Sequence, residues 1–195
     1  MKVVAFNGSA RRNGNTAILI RHVFKELERE GIQTELIQLA EHKVQGCIAC
    51  RKCFTEKNKR CAVGDDIINE CIVKMLEADG IILGSPTYFA DCTASIKALI
   101  ERAGMVARAN DDMFKRKLGA AVVAVRRSGA IHAFDSLNHF FTIGQMIVVG
   151  SSYWSIGIGG RDSGDVERDA EGLKTMTTLG RNMAWLIKKI NGQEA

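Results

Sequence analysis

Short apolar runs alternate with amphipathic, helix-length segments along this chain, and this alternation limits the possible folds more than any other feature. Residues 3–6 form the first apolar run, and Ala17, Ile20, Phe24 and Leu27 then recur at helical spacing. Further runs occupy residues 34–39, 81–83, 118–125 and 146–149. The pattern predicts five strands and five helices in a three-layer α/β fold. Its doubly wound, five-stranded parallel sheet should have the order 2-1-3-4-5.

Composition places the chain among single-domain proteins. Its 195 residues are 46% hydrophobic and 25% charged, which suits one domain over residues 1–195 with an insertion at about 45–64. No stretch approaches the roughly 20 apolar residues of a membrane span, and the first apolar run is too short for a secretory signal. We therefore expect a cytoplasmic protein, with no membrane partner, whose six cysteines do not form structural disulfides.

The net charge of +5 is modest, although basic residues gather in segments 51–60, 115–117 and 126–127. No nucleic-acid-binding motif accompanies them, so we expect no nucleic-acid partner. An anionic cofactor or an acidic protein partner suits these segments at least as well.

The segment between the first strand and the first helix, residues 8–16, resembles a phosphate cradle. A helix N-terminus offers free N–H groups and the positive end of a dipole to an anion. Ser9, Asn15 and Thr16 add side-chain donors, and Arg11 or Arg12 adds charge. The segment lacks the G-x-G-x-x-G fingerprint of dinucleotide sites, the lysine of a P-loop, a phosphatase cysteine and the acidic residues of a receiver domain. A mononucleotide remains, and FMN is the leading candidate.

A second loop, residues 84–91, follows the third strand and should lie in the crevice beside the cradle. A flavin ring needs a flat apolar wall and backbone groups aimed at its polar edge. Pro86 stiffens the loop, while Tyr88 and Phe89 can supply the wall. This loop therefore also favours FMN.

Together the two loops carry a family resemblance. The sequence G-S-x-R-x-x-G-N-T over residues 8–16, with G-S-P-T-Y-F over residues 84–89, resembles the NAD(P)H-dependent FMN reductase and iron–sulfur flavoprotein group. The similarity extends through the whole chain and implies a flavodoxin-like fold. It also implies a homodimer or tetramer that completes the flavin site across an interface.

The resemblance implies roles for particular residues. The FMN phosphate would be held by Ser9, Arg11, Asn15 and Thr16. The isoalloxazine ring would be bracketed by Pro86, Thr87, Tyr88 and Phe89, and approached at its other edge by Ser128 and Gly129.

Within the insertion, four cysteines follow the spacing C-x2-C-x2-C-x7-C: Cys47, Cys50, Cys53 and Cys61. Such compact spacing suits a [4Fe–4S] cluster, because a short loop can aim several thiolates at one centre. It also matches the iron–sulfur flavoproteins, in which these cysteines would be the ligands. A cluster-free loop with thiol or disulfide chemistry and a structural zinc site are the alternatives. Cys71 and Cys92 are expected to pack rather than react.

Three functions remain open from the sequence. The first is an FMN-dependent oxidoreductase that takes hydride from NAD(P)H, so that the chemistry belongs to the flavin rather than to a catalytic side chain. The second is an iron–sulfur flavoprotein that carries electrons from ferredoxin, an acidic protein suited to the basic insertion. The third is a flavin redox sensor without turnover.

Overall fold

The computed structural model describes residues 1–192, in which helices cover both faces of a parallel sheet. The strands are β1 (Lys2–Asn7), β2 (Gln33–Gln38), β3 (Gly80–Pro86), β4 (Leu118–Val125), β5 (Ile147–Val148) and β6 (Ile156–Ile158). The helices are α1 (Asn15–Arg29), α2 (Lys52–Glu56), α3 (Ile68–Glu77), α4 (Ala94–Ala109), α5 (Ala130–Ile143) and α6 (Ala170–Ile190), with a 3-10 helix at Asp165–Arg168. No helix in this part of the chain is long and apolar enough to cross a membrane.

The sheet order is β2-β1-β3-β4-β5 with every pair parallel, which confirms the predicted topology. Successive strand residues point to opposite faces. Val4 and Phe6 belong to the part of the core that α3, α4 and α5 cover, whereas Val3 and Ala5 belong to the part that α1 and α6 cover. Strand β4 is buried along its whole length, because helices cover both of its faces.

The fifth strand position differs from the prediction of one strand over residues 146–149. Two short strands share it: β5 pairs with Leu118 and Gly119, and β6 pairs with the last three residues of β4. The chain leaves the sheet edge between them, with Tyr153 and Trp154 exposed, and returns where Val123 N–H donates to Ser155 O at 2.9 Å. The glycine-rich segment 151–164 therefore contains a strand as well as loop.

Two further local details differ from the sequence reading. Pro86 is the last residue of β3 rather than part of the following loop. The Thr87 N–H donates to Ala124 O of β4 at 2.9 Å. The nitrogen of Pro86, which carries no hydrogen, therefore lies on the β1 side of the strand, and β1 has already ended at Asn7. The insertion also contains the short helix α2, which apolar periodicity did not predict.

Candidate functional site

A pocket opens at the carboxyl ends of β1, β3 and β4, the edge where ligands bind in open parallel sheets. Its lining contains seven of the ten predicted cofactor residues, together with two additional arginines. The lining residues are Ser9, Arg11, Asn15, Thr16, Pro86, Thr87, Tyr88, Ala124, Val125, Arg126, Gly160 and Arg161. The two loops singled out in the sequence therefore meet in one pocket.

The N-terminus of α1 opens into this pocket without a side-chain cap, since Gly14 occupies the N-cap position. The first-turn N–H groups of a helix have no partner within the helix. The Thr16 and Thr87 hydroxyls are both buried and both lack a hydrogen-bond partner among residues 1–192. Buried polar atoms are nearly always satisfied, so these two indicate a polar ligand. An anionic mononucleotide such as FMN fits them.

The predicted phosphate residues do not all present free side chains. Ser9 Oγ accepts the Arg11 N–H at 3.1 Å, which leaves its hydroxyl hydrogen available. Asn15 Oδ1 accepts the Gly164 N–H at 2.9 Å, and its Nδ2 donates to Asp162 O at 3.1 Å. Asn15 therefore lines the pocket but fastens the 162–166 segment, and a phosphate contact from it stays a prediction.

Two arginines in the lining were not predicted as site residues. Arg126 follows β4 directly, and Arg161 lies in the glycine-rich segment after β6. The Arg11 guanidinium donates to Arg161 O, which links the cradle to that segment. The positions of Arg126 and Arg161 after the carboxyl ends of strands were the sequence signal that could have identified them as site residues. Three guanidinium groups around one pocket favour an anionic ligand.

The aromatic loop is a tight turn in which both rings are exposed, Tyr88 by half and Phe89 fully. Tyr88 and Asp91 exchange backbone hydrogen bonds of 2.9 and 3.0 Å, while Phe89 and Ala90 have φ angles of +48° and +64°. Positive φ at both central positions is usually reserved for glycine, asparagine or aspartate. Tyr88 lines the pocket, but Phe89 projects fully into solvent at the tip of the turn.

The loop after β4 supports this turn. Gly129 has φ +83°, and a Cβ there would lie 2.8 Å from Ala90 Cα. Ser128 is exposed, and neither residue lines the pocket. Phe89, Ser128 and Gly129 therefore lie around the mouth of the pocket, and their contact with the ring stays a prediction.

The four predicted cysteine ligands converge on a second, smaller pocket between the insertion and α4. Cys47, Cys50, Cys53 and Cys61 line it together with Arg102, and all are free thiols. Burial raises the pKa of Cys53, and the nearby thiolates of the other three cysteines raise it further. A loop of 15 residues thus brings four sulfur atoms to one place.

Four thiolates can bind either a single tetrahedral metal ion or a polynuclear iron–sulfur cluster. Tetrahedral zinc, with Zn–S bonds near 2.3 Å, holds its sulfur ligands about 3.8 Å apart. Within residues 1–192 no three cysteine, histidine or acidic side chains lie close enough to hold one ion. A cubane binds each thiolate to its own iron, so its ligands are spaced more widely. Four thiolates from one short loop that line one pocket are a donor set that fits a [4Fe–4S] cluster.

Four residues of the insertion adopt left-handed backbone conformations, which residues other than glycine rarely adopt. Ala49, Arg51, Lys57 and Lys59 all have φ between +46° and +61°. Each such residue costs on the order of 1–3 kcal/mol and persists only where the surroundings impose it. The Ala49 N–H donates to Cys47 Sγ at 3.4 Å, so this backbone conformation directs an amide toward a predicted ligand.

Two residues that support the cysteine pocket were missed from the sequence. Buried Asn69 accepts the Cys61 N–H at 2.8 Å and donates to Cys61 O at 3.0 Å, fixing the backbone of that cysteine. Arg102, fully buried on α4, donates from Nε to Cys61 Sγ at 3.2 Å. The available signal was a charged residue beside Leu99 and Ala103, on the apolar stripe of its helix.

The two remaining cysteines lie outside both pockets. Cys71 belongs to the core beside α4, and burial raises the pKa of its thiol to about 12. Burial and then Asp91 raise the pKa of Cys92 to about 11. Both thiols are therefore protonated near neutral pH, in keeping with packing roles.

A doubly wound sheet with a phosphate cradle after β1 and an aromatic loop after β3 defines the class of flavodoxin-like flavoproteins. The chain belongs to the NADPH-dependent FMN reductase family, whose model matches residues 1–160. It is 39% identical over 197 residues to an iron–sulfur flavoprotein of Methanocaldococcus jannaschii, covering 97% of this chain and 99% of that protein. These similarities confirm a flavin-dependent oxidoreductase.

Solved structures support the fold. RosB with bound 8-demethyl-8-formylriboflavin-5'-phosphate superposes with a TM-score of 0.71 at 16% identity, over 98% of this chain and 81% of that one. A flavodoxin from the domain Archaea superposes with a TM-score of 0.61 at 16% identity, over 96% and 99% of the two chains.

Thr16→Val tests the phosphate cradle, because it replaces an unpaired buried hydroxyl by a methyl group of similar size. Loss of a hydrogen bond to a charged group costs about 1.5–3 kcal/mol, so the FMN dissociation constant should rise about 10- to 150-fold. The apoprotein should lose no stability, since the hydroxyl has no partner there. Fluorescence titration with FMN and thermal unfolding of the apoprotein measure the two effects.

Thr178→Val is the matched control, since Thr178 lies partly exposed on α6, outside the flavin pocket, and its hydroxyl donates to Lys174 O at 3.1 Å. Its FMN affinity should equal that of the wild type. Equal affinity in the Thr16 variant as well would remove Thr16 from the cradle.

Proposed function

We propose that this FMN-dependent oxidoreductase also carries one [4Fe–4S] cluster, held by Cys47, Cys50, Cys53 and Cys61. The observation that carries the proposal is the convergence of these four thiols on one pocket. Four cysteines on one short loop are a ligand set typical of iron–sulfur clusters, which supports a polynuclear centre. The name of the 39% identical relative, an iron–sulfur flavoprotein, supports it as well.

Bound FMN supplies hydride and single-electron chemistry, and the chain determines where the flavin lies. The free N–H groups of α1 and the Thr16 hydroxyl would receive the phosphate, with Arg11 and Arg161 balancing its charge. Tyr88, half exposed at the pocket mouth, would form a wall beside the ring. No side chain has to act as a nucleophile in this arrangement.

Cys53→Ser tests the cluster proposal. A serine hydroxyl is a poor substitute for a thiolate, so iron should fall from about four per chain to a small fraction of that value. FMN content should not change, because the flavin pocket and the cysteine pocket share no lining residue. Iron, sulfide and flavin assays on protein purified without oxygen measure these quantities.

Cys92→Ser is the matched control, since Cys92 is half-buried outside the cysteine pocket. It should keep both iron and FMN. One zinc per chain in the wild type, or equal iron in the Cys53 variant and the wild type, would contradict the proposal.

The electron donor is the second part of the proposal. We infer that NAD(P)H reduces the flavin, as the family description suggests. Ferredoxin is the alternative donor, and the exposed basic residues of the insertion favour it. These residues are Arg51, Lys52, Lys57, Lys59 and Arg60. An acidic ferredoxin would meet the cluster before the flavin on this surface.

Stopped-flow absorbance separates the two donors. If NAD(P)H is the donor, flavin bleaching by NADPH or NADH should be rapid and unaffected by Lys57→Glu combined with Lys59→Glu. If ferredoxin is the donor, bleaching should require reduced ferredoxin and should slow in this variant, more strongly at low salt. Bleaching by neither reductant would leave a redox sensor as the remaining function.

We also propose that a second copy of the chain covers the mouth of the flavin pocket. Apolar residues are exposed on the 88–89 turn, at the start of α5 and in the segment between β5 and β6. They are Tyr88, Phe89, Ile131, Tyr153 and Trp154. Exposed aromatic groups of this kind mark interfaces. Light scattering should give a dimer or tetramer, and a monomer at micromolar concentration would contradict this. A cytoplasmic location stays a prediction.

A further inference from the structure

Arg102 is the largest side chain that is fully buried, and it lies beneath the cysteine pocket. It occupies the middle of α4, where its neighbours Leu99 and Ala103 are core residues. Burying a guanidinium group without compensation costs several kcal/mol. Its position therefore needs a physical reason beyond packing.

The guanidinium group bonds at once to Cys61 and Val63 of the insertion and to Asp66 just beyond it. Nε donates to Cys61 Sγ at 3.2 Å, Nη1 forms an ion pair with Asp66, and Nη2 donates to Val63 O. Asp66 is itself only 4% exposed. The planar fork of an arginine allows these directed bonds, whereas a lysine ammonium is a single point charge.

The Asp66 ion pair accounts for only part of this arrangement. It occupies one end of the guanidinium group, while Nε at the other end points to a sulfur. Four thiolates on a [4Fe–4S] core carry net negative charge, and hydrogen bonds to cluster sulfur atoms are among the factors that set its reduction potential. A buried cation beside such a sulfur acts in low dielectric, where its effect is large.

We propose that Arg102 is the positioning residue that orients Cys61 and raises the reduction potential of the cluster. It does so through its Nε–H···Sγ hydrogen bond and its buried charge. The inference rests on the cluster of the proposed function. The other basic residues at the pocket act differently: Arg51, for example, is exposed and lies over the Phe54 ring, 5.6 Å from its centroid. Solvent and salt screen its charge.

Arg102→Gln tests the inference, and Arg108→Gln is its matched control. Both arginines lie on α4, and each substitution removes one positive charge. Arg108, however, is exposed and pairs with Asp112 at 3.0 Å. In the Arg102 variant the equilibrium constant for reduction of the cluster should fall at least tenfold. For a one-electron couple this corresponds to a reduction potential about 59 mV lower. The control should match the wild type. Redox titration followed by electron paramagnetic resonance measures this, without any assay of turnover.

Asp66→Asn provides an independent variant whose potential should shift in the opposite direction. It removes the buried counter-charge while Arg102 keeps its own, so the potential should rise. The asparagine Oδ1 can still accept the Ile68 N–H that Asp66 accepts at 3.1 Å, so the start of α3 should be retained. This variant decides the question if Arg102→Gln does not fold.

Three results have distinct meanings. A lower potential in Arg102→Gln or a higher one in Asp66→Asn, at full iron content and with the control unchanged, would support the inference. Unchanged potentials at full iron content would overturn it and leave the cluster proposal intact. Wild-type protein without iron would overturn both.

Discussion

Parallel pairing of β1 with both β2 and β3 is the constraint on which the two sites depend. It brings the loops after all three strands to one edge of the sheet. The cradle follows β1, the cysteine insertion follows β2 and the aromatic turn follows β3. Strand order therefore determines where the flavin pocket and the cysteine pocket lie. The side chains of each loop determine what its pocket can bind.

Helix α4 connects the two pockets physically. At its N-terminus, Thr93 Oγ1 donates to Gly8 O at 2.9 Å, next to the phosphate cradle. Nine residues further on, Arg102 reaches Cys61. At 1.5 Å per residue this separation is about 13 Å along the helix. One rigid element thus fixes the distance between the proposed flavin and cluster, while Asn69 and Arg102 hold the Cys61–Val63 end of the insertion.

Sequence reasoning succeeded where the signal was local and repetitive. Buried strands such as β4 are unbroken apolar runs in the sequence. The compact spacing of the four cysteines predicted that they would lie together in the structure. Sequence reasoning failed where a role depends on distant partners. Arg102 meets Cys61 across 41 positions, and nothing local distinguishes it from a solvated arginine except its place on an apolar stripe. The strand β6 is only three residues long and contains a glycine, too short for periodicity to register.

The central claim is that one chain holds FMN in the α1 cradle and a cubane in the cysteine pocket. The most direct test is a crystal structure of oxygen-free protein with diffraction data collected on both sides of the iron absorption edge. We expect anomalous density for a [4Fe–4S] cluster bonded to Cys47, Cys50, Cys53 and Cys61. We also expect the FMN phosphate against the Thr16 hydroxyl. A single ion bound by the four thiolates, a disulfide among them, or flavin phosphate elsewhere would contradict the claim.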